Sequence, residues 1–360
     1  MKAWILGLTA LALATGPAAA QGVVNVYNWS DYIDDSILED FTAEIGIEVR
    51  YDVFDSNELL EAKLLAGSTG YDVVVPSAHF LARQIQAGVF DPLDKSRLSN
   101  IGNLDPEVME RVAKYDPGAE HAVVYLWGTT GIGYVEEMIL ERMPDAPVDS
   151  WDMILDPEVV SKFADCGIHV LDAPTELLPI AMNYLGLDPN SHDPEDIRKG
   201  AELLMEIRPH IQKFHSSEYI NALANGDICL AVGWSGDVLQ ARDRAAEADN
   251  GITVKYSIPN EGTQMWFDMM AIPADAPNKE NAHAFIDFLM RPEVIAQATN
   301  YVNFANANAP ALEFVDEAVK SDPAIYPTEE ASETLFTVTA LPPRAQRVAT
   351  REWTRVKTGQ

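Results

Sequence analysis

The sequence predicts an α/β protein that folds into two lobes. Between residues 23 and 75, strand, helix, strand, helix and strand follow one another, and this is the βαβ pattern of a parallel sheet. A second unit of the same kind begins near residue 150, and the 360-residue chain is longer than one hydrophobic core usually serves. We therefore expect two α/β lobes joined by crossing segments.

The elements of the first unit follow from the spacing of apolar residues. Alternation predicts strands over residues 23–29 and 47–54, a continuous apolar run predicts one over 71–75, and helical spacing predicts helices over 33–42 and 59–65. Gly46 and Gly67 end these helices, and Asp55 with Glu58 has the spacing of a capping box. Residues 91–118, with three prolines, are predicted as loop.

The later elements are predicted in the same way. Strands are expected over residues 122–127, 168–171, 228–232, 252–258 and 265–272, and helices over 177–185, 196–208, 218–224, 238–248 and 279–290. Ser216 or Ser217 is the expected cap of the third of these helices. The glycine-rich segment from Gly128 to Tyr134 resembles a phosphate loop only loosely, since no Lys follows it. We interpret it as a flexible crossover between the lobes.

Residues 1–20 have the composition of a secretory signal peptide. Lys2 precedes an apolar stretch, and Ala18, Ala19 and Ala20 supply the small residues of a cleavage site. The segment is too short to span a membrane. We expect an exported chain whose two cysteines, Cys166 and Cys229, form a disulfide, with two buried thiols as the alternative.

The charge of the chain restricts its partners. A net charge of −31 argues against nucleic acid and anionic membrane surfaces and attracts cations. The seven His residues are scattered without convincing ligand spacing, so we expect neither a metal nor another cofactor.

The most unusual residue is Asp268, which lies within a strand on the same face as Trp266 and Met270. A carboxylate among such neighbours is costly to bury unless a cation pairs with it. That cation is either a Lys or Arg of the chain or a ligand.

Two further Trp and Asp pairs follow strands. Trp29 precedes Asp31, and Trp234 precedes Asp237. Each Asp alone suits a helix cap, but the repeated pairing favours a site for an organic cation, because indole faces attract cations. Further candidates stand at strand ends: Ser30, Tyr32, Ser77, His79 and Glu176.

Enzymatic alternatives have weaker support. Paired carboxylates and tryptophans also occur in glycosidases, but three Trp-linked acids favour charge neutralisation. No G-x-S-x-G nucleophile motif is present, because in Gly233-Trp234-Ser235-Gly236 the second glycine comes one residue early.

Several motifs across the chain resemble those of the periplasmic putrescine-binding proteins of polyamine ABC importers. They include YNWSDYI, YDVFDSNE, AGSTGYDVVVPSA, FHSSEYINALANGDIC, GWSGD and FANAN. The resemblance implies the two-lobed type II periplasmic binding protein fold, with a ligand cleft between the lobes and a hinged closure. By motif position, the family pocket falls on Trp29, Ser30, Asp31, Tyr32, Ser77, Glu176, Trp234, Asp237, Trp266, Asp268 and Phe304, and the family disulfide on Cys166 and Cys229.

Four positions bear on specificity. Compared with the family, Trp266 replaces Phe, Phe304 replaces Tyr, and His79 replaces a small serine near the mouth, where an extra cation would repel a longer amine. Ala173 keeps the small residue of the putrescine type, which favours a diamine over spermidine.

The resemblance implies a binding protein without catalytic activity. Lobe 1 is expected over residues 21–130 and 252–302, and lobe 2 over 131–251 and 303–360. We expect a periplasmic monomer that captures putrescine or a related polyamine and delivers it to membrane permease subunits. The alternatives are a polyamine-sensing receptor and a receptor for quaternary amines such as choline or betaine.

Overall fold

The computed structural model describes residues 22–360, so the predicted signal peptide lies outside the described residues. The first part of the chain forms β1 (Val23–Trp29), α1 (Asp35–Ile45), β2 (Glu48–Phe54), α2 (Asn57–Ala66), β3 (Val73–Val74), α3 (Ala78–Gln86), α4 (Pro106–Val112) and β4 (Ala122–Val135). The strands and helices alternate as predicted. The α4 helix interrupts the segment that we predicted as loop.

The middle of the chain forms the second α/β unit. Its elements are α5 (Glu136–Arg142), α6 (Asp152–Leu155), α7 (Pro157–Val160), β5 (Ile168–Val170), α8 (Pro174–Tyr184), α9 (Pro194–Ile207), β6 (Lys213–Phe214), α10 (Tyr219–Asn225), β7 (Leu230–Trp234), α11 (Ser235–Ala248) and β8 (Val254–Ser257). Neither Ser216 nor Ser217 caps α10, because Glu218 occupies the N-cap position.

The last part adds elements to both units. These are β9 (Met265–Ala271), α12 (Lys279–Leu289), α13 (Pro292–Val302), β10 (Ala305–Asn306), α14 (Glu317–Lys320), α15 (Glu329–Thr334) and α16 (Pro343–Thr358). The α13 helix was not predicted. It begins with Pro292 in its first turn, a position where proline is tolerated because the missing N–H would have no helical partner.

The strands form a sheet in the order β2-β1-β3-β9-β4-β7-β5-β6, and β8 and β10 also pair with β4. The pairs β1 with β2 and β1 with β3 are parallel, as are β5 with β6 and β5 with β7. Central β9 runs antiparallel to both β3 and β4, and all its residues are buried, as expected of a strand with neighbours on both sides. The fold is therefore mixed α/β, as predicted.

Two hydrophobic clusters divide the molecule. The first gathers buried residues from β1 to the first half of β4 and from β9 onward to Ile325. The second gathers those from Ile132 to Val254, together with the buried face of α16. This division differs from the predicted lobe boundaries, because Val254 packs in the second cluster and the segment from Phe304 to Ile325 packs in the first.

The glycine-rich segment after Trp127 is not a flexible crossover. It continues β4, which pairs with β9 over its first half and with β7 and β8 over its second half. Its glycines permit close packing: a Cβ on Gly131 would lie 2.5 Å from the Ser257 carbonyl oxygen, and one on Gly133 would lie 2.8 Å from Val238. The crossing between lobes is therefore a buried strand.

A disulfide joins Cys166 and Cys229, whose Cα atoms are 5.5 Å apart. The two cysteines immediately precede the neighbouring parallel strands β5 and β7, so the bond fixes the start of this strand pair. Within residues 22–360, no helix combines the length and the apolar character that crossing a membrane requires.

Candidate ligand-binding site

A cavity lies between the two lobes and is partly open to solvent. It is lined by Trp29, Ser30, Tyr32, Asp55, Ser77, Glu176, Ser216, Trp234, Asp237, Trp266, Asp268 and Phe304. The structure thus brings together every residue of the predicted pocket except Asp31. None of the lining residues is Lys, Arg or His.

The architecture of the sheet explains how residues so distant in sequence meet. Trp29 ends β1, Asp55 follows β2, and Ser77 follows β3, so three neighbouring parallel strands deliver their carboxyl ends to one edge. In the second lobe Trp234 ends β7 and Glu176 lies in the first turn of α8, which follows β5. Loops at the carboxyl ends of parallel strands are the usual ligand sites of α/β sheets.

Asp268 forms the acidic centre of the first lobe. It is 4% exposed, and its two oxygens accept hydrogen bonds from the Ser77 hydroxyl at 2.6 Å and the Tyr32 hydroxyl at 2.9 Å. Asn57 holds Ser77 in place by accepting from the Ser77 N–H and donating to its hydroxyl, both at 3.0 Å. Burial raises the pKa of Asp268 to about 7 despite these hydrogen bonds.

Asp237 is the corresponding acid of the second lobe. It lies in the first turn of α11, is 6% exposed, and accepts a hydrogen bond from the Tyr219 hydroxyl at 2.7 Å. The same hydroxyl accepts from the Trp234 backbone N–H at 3.1 Å. Burial raises the pKa of Asp237 to about 7; the charges of Asp31 and Asp268 add to this rise, and the Tyr219 hydrogen bond and the charge of Arg244 oppose it.

Glu176 is the third buried acid. Its carboxylate accepts hydrogen bonds from the Thr130 hydroxyl and from the Trp234 indole N–H, the latter at 3.3 Å. Burial raises the pKa of Glu176 to about 7. Thr130 lies on β4, so Glu176 is tied to the strand that links the two lobes.

None of the three acids forms an ion pair within the described part of the chain, and the one cation that acts on Asp237, Arg244, is paired with Asp31. Their hydrogen-bond donors are neutral hydroxyl and indole groups, and no ion pair forms at any of them. Like charges near one another in an apolar site disfavour ionisation, and this adds to the effect of burial on their pKa values. A cationic ligand would remove both penalties.

Aromatic rings fill the space between the acids. The ring centroids of Trp29 and Trp234 are 5.4 Å apart, and those of Trp234 and Trp266 are 6.4 Å apart. Phe304 packs edge-on against Trp266 at 5.3 Å and against Tyr32 at 5.2 Å. The cavity therefore offers apolar walls for methylene groups and ring faces for ammonium groups.

Two glycines allow these rings to take their places. A Cβ on Gly236 would lie 2.5 Å from the Phe304 ring, and one on Gly128 would lie 2.9 Å from both Phe304 and Trp266. In the GWSGD motif, Gly236 is therefore required because any side chain at this position would collide with Phe304. A side chain at either glycine would displace the cavity wall.

Asp31 does not line the cavity. Its backbone has φ of 53°, in the left-handed region, and its half-exposed carboxylate accepts from Arg244 of α11 at 2.7 Å. Gln240, also on α11, donates to the Asp31 carbonyl at 3.2 Å. Asp31 therefore connects the two lobes beside the cavity, and its role as a ligand residue stays a prediction.

Two of the four predicted specificity positions, His79 and Ala173, also lie outside this cavity, whereas Trp266 and Phe304 line it. His79 is 5% exposed, and it lines a separate cavity between α3 and α8. Burial, reinforced by the charge of Arg83, lowers the pKa of His79 to about 3. His79 is consequently neutral, which corrects our expectation of an extra cation at the mouth. Ala173 is the N-cap of α8 and does not line the ligand cavity either.

Two lining residues were missed by the sequence reasoning. Asp55 and Ser216 line the cavity, whereas we had interpreted both as possible helix caps. The actual cap of α2 is Ser56, whose hydroxyl accepts from the Leu59 N–H. The position of Asp55 directly after a predicted parallel strand was a usable signal for the site.

The profile of a family described as bacterial extracellular solute-binding protein matches residues 36–328. The putrescine-binding periplasmic protein SpuD of Pseudomonas aeruginosa (strain UCBPP-PA14) is 52% identical over 359 residues, which cover 99% of this chain and 98% of that protein. The putrescine-binding periplasmic protein PotF of Escherichia coli (strain K12) is also 52% identical, over 365 residues that cover 100% of this chain and 99% of that protein.

Solved structures share the fold. The spermidine/putrescine ABC transporter substrate-binding protein PotD from Streptococcus pneumoniae superposes with a TM-score of 0.76 at 31% sequence identity, covering 94% of this chain and 99% of that one. The similarity therefore extends over both lobes.

Proposed function

This chain belongs to the family of bacterial extracellular solute-binding proteins, and we propose that it captures putrescine or a related polyamine and delivers it to the permease subunits of an ABC importer. It is a binding protein rather than an enzyme. The observation that carries the proposal is a cavity with three buried carboxylates, lined by aromatic rings and by no basic side chain. The ligand named for the two relatives that are 52% identical supports the same ligand class.

The proposed binding mode uses both lobes. One ammonium group of the amine would bind to Asp268 in the first lobe, and the other would bind to Asp237 and Glu176 in the second. The methylene chain would lie against Trp234 and Trp266. Ammonium groups that face the indole rings would gain roughly 0.5 to 2 kcal/mol per contact from cation–π attraction. Because the amine contacts both lobes only when they are closed, it would stabilise the closed state.

The acids distinguish this proposal from receptors for other ligands. A quaternary ammonium such as choline has no N–H to donate, so it would leave most of these carboxylate oxygens without a hydrogen bond. An amino acid would require a basic group for its own carboxylate, and the cavity lining contains none. A primary diamine satisfies both the charges and the acceptors.

The ligand class is tested by thermal unfolding of the ligand-stripped mature protein. The panel contains putrescine, cadaverine, agmatine, spermidine, spermine, choline and several sugars. A ligand present at one hundred times its dissociation constant stabilises the protein by about 2.7 kcal/mol, which gives a measurable shift. We expect a selective response to a diamine or polyamine. A thermal shift with choline or a sugar, and no shift with any polyamine, would refute the proposal.

We further infer that the protein is located in the periplasm and meets its partner at the membrane. Removal of residues 1–20 during export would give a periplasmic monomer that meets the permease at the membrane. A polyamine sensor would use the same cavity, so binding data do not distinguish the two roles. Deletion of the gene should abolish uptake of the bound amine if the chain is a transport component, and uptake equal to the parent strain would favour a sensor.

A further inference from the structure

The C-terminal helix α16 carries an exposed row of arginines. Arg344, Arg347, Arg351 and Arg355 recur every three or four residues, which places them on one face of the helix. All four are exposed, whereas Trp353 on the opposite side is buried in the second core. At 1.5 Å per residue, this arginine row is about 16 Å long.

The arginine row contrasts with the rest of this acidic chain. The net charge of the protein is −31, yet Glu352 is the one acidic residue after Glu333. Glu352 is buried and accepts hydrogen bonds from Arg351 at 2.7 Å and Arg355 at 3.3 Å. Neither Arg344 nor Arg347 forms an ion pair with any residue from 22 to 360. The first half of the row is therefore uncompensated.

The stability of the helix does not explain this arrangement. The start of a helix favours negative charge, and α9, which packs against α16, begins with Glu195 and Asp196. The first turn of α16 has no acid and contains Arg344 instead. Like charges three and four residues apart also repel one another. Arg355 suits the last turn of the helix and pairs with Glu352, but Arg344 and Arg347 gain neither benefit, and this favours a role for the first half of the row toward an external anionic partner.

The location of α16 supports such a role. A surface groove begins at Asp55 and Ser216, which also line the ligand cavity, and runs to Gln346, Thr350 and Thr354 of α16. These three side chains lie on the face of α16 next to the arginine row. A partner bound to the row would therefore lie beside a groove that adjoins the ligand cavity at Asp55 and Ser216.

We propose that the arginine row docks on a carboxylate-rich surface of the permease that receives the amine, an inference that rests on the function proposed above. Guanidinium groups bind carboxylates in a bidentate geometry, so arginine suits this contact better than lysine. The row is one helix wide within a strongly acidic protein, so a broad anionic membrane would repel most of the molecule. A protein with a matching line of carboxylates contacts the row alone. Such charge pairing orients the encounter and accelerates it.

The test replaces Arg344→Glu and Arg347→Glu together in the full chain. The control is Arg50→Glu with Arg97→Glu, which changes the net charge equally at exposed positions of the first lobe. Each variant replaces the native copy in cells that naturally carry this chain, and putrescine uptake is measured at equal protein levels. Calorimetry measures the dissociation constant for putrescine, and urea titration measures stability.

We expect the row variant to bind putrescine with the wild-type dissociation constant, to be at least as stable as wild type, and to lower uptake at least tenfold. The control should transport normally. Normal uptake by the row variant, or an equal loss of uptake in the control, would refute the proposed docking surface but leave the proposed function intact. If the wild-type protein does not bind the amine in calorimetry, the proposed function is refuted, and the docking inference with it.

A vesicle experiment separates the two anionic surfaces. Wild-type protein is centrifuged with vesicles of phosphatidylglycerol and with zwitterionic vesicles at about 0.15 M salt, where surface charges more than about 8 Å apart are screened. We expect no sedimentation with either. Sedimentation with the anionic vesicles that is lost in the row variant would identify lipid as the partner and overturn the assignment to an acidic protein surface.

Discussion

Replacing Asp268 with Asn should weaken amine binding and stabilise the empty protein. In the unfolded chain Asp268 ionises near its ordinary pKa, but burial holds its folded-state pKa at about 7. Between pH 4 and 7 the folded state therefore retains a proton that the unfolded state releases. The stability of the ligand-free protein falls over this range as the pH rises. The amide removes that penalty and also removes the counter-charge of the ligand.

The magnitude follows from the pKa. A rise from 3.8 to about 7 corresponds to roughly 4 kcal/mol at pH 8. The hydrogen bonds from Ser77 and Tyr32 lower this pKa, so the figure of roughly 4 kcal/mol already includes their stabilisation of the charged carboxylate. We therefore expect Asp268→Asn, whose amide resembles the neutral carboxyl, to raise the free energy of unfolding by roughly 4 kcal/mol at pH 8 and by less than about 1 kcal/mol at pH 4, where the folded wild-type carboxyl is neutral.

Binding should change in the opposite direction. Removing one partner of a buried, hydrogen-bonded charge pair costs about 2 to 5 kcal/mol, which is roughly 30-fold to several thousand-fold in affinity. Calorimetry with putrescine at pH 8 and urea unfolding at pH 4 and pH 8 measure the two effects. Asp40→Asn on the exposed side of α1 is the matched control. A stability change independent of pH, or near-native affinity, would refute the reasoning.

Further predictions concern the acids, a glycine and the disulfide. Ligand-free carboxyls with pKa values near 7 must lose their protons to bind an amine, so affinity should fall by more than about 20-fold between pH 7.5 and 5.5; a flat titration would contradict this. Gly236→Ala should push the Phe304 ring into the cavity, which should reduce the affinity for the amine and destabilise the protein by about 1 to 3 kcal/mol. Gly102 has open space around it, so Gly102→Ala should change neither quantity. Calorimetry measures the affinity, and urea unfolding measures the stability. Replacing both Cys166 and Cys229 with Ala should lower the free energy of unfolding by about 4 kcal/mol, because the bond closes a loop across a separation of 63 residues; an unchanged urea midpoint would contradict that value.

The sequence carried most of the fold, because apolar periodicity marks strands and helices locally. The alternation that ended at Trp29 correctly located β1, and the spacing before Gly46 correctly located the end of α1. The glycines of β4 misled us because glycine permits both loose turns and close packing. At Gly131 the reason is close packing against the ring of Tyr256 and the backbone of Ser257, which lie more than 120 residues away in the sequence.

The candidate site was predictable where an acid was chemically out of place. Asp268, on a strand that is buried throughout, has no local reason to be acidic. Asp31 was different, because its side-chain direction depends on a left-handed backbone and on Arg244, which is 213 residues away. His79 likewise required the second lobe to be in place before its burial, and hence its neutral state, became visible.

The single strand β4 also determines how the molecule should unfold. Its first half contributes Ala122, Val123 and Val124 to one core, and its second half contributes Ile132 and Val135 to the other. Unfolding either lobe removes the main-chain partners of one half of this strand, because β9 and β10 pair with its first half and β7 and β8 with its second half. Although the molecule has two cores, its denaturation should therefore be one cooperative transition. Because the two lobes unfold together, an amine bound between them should protect both lobes from proteolysis.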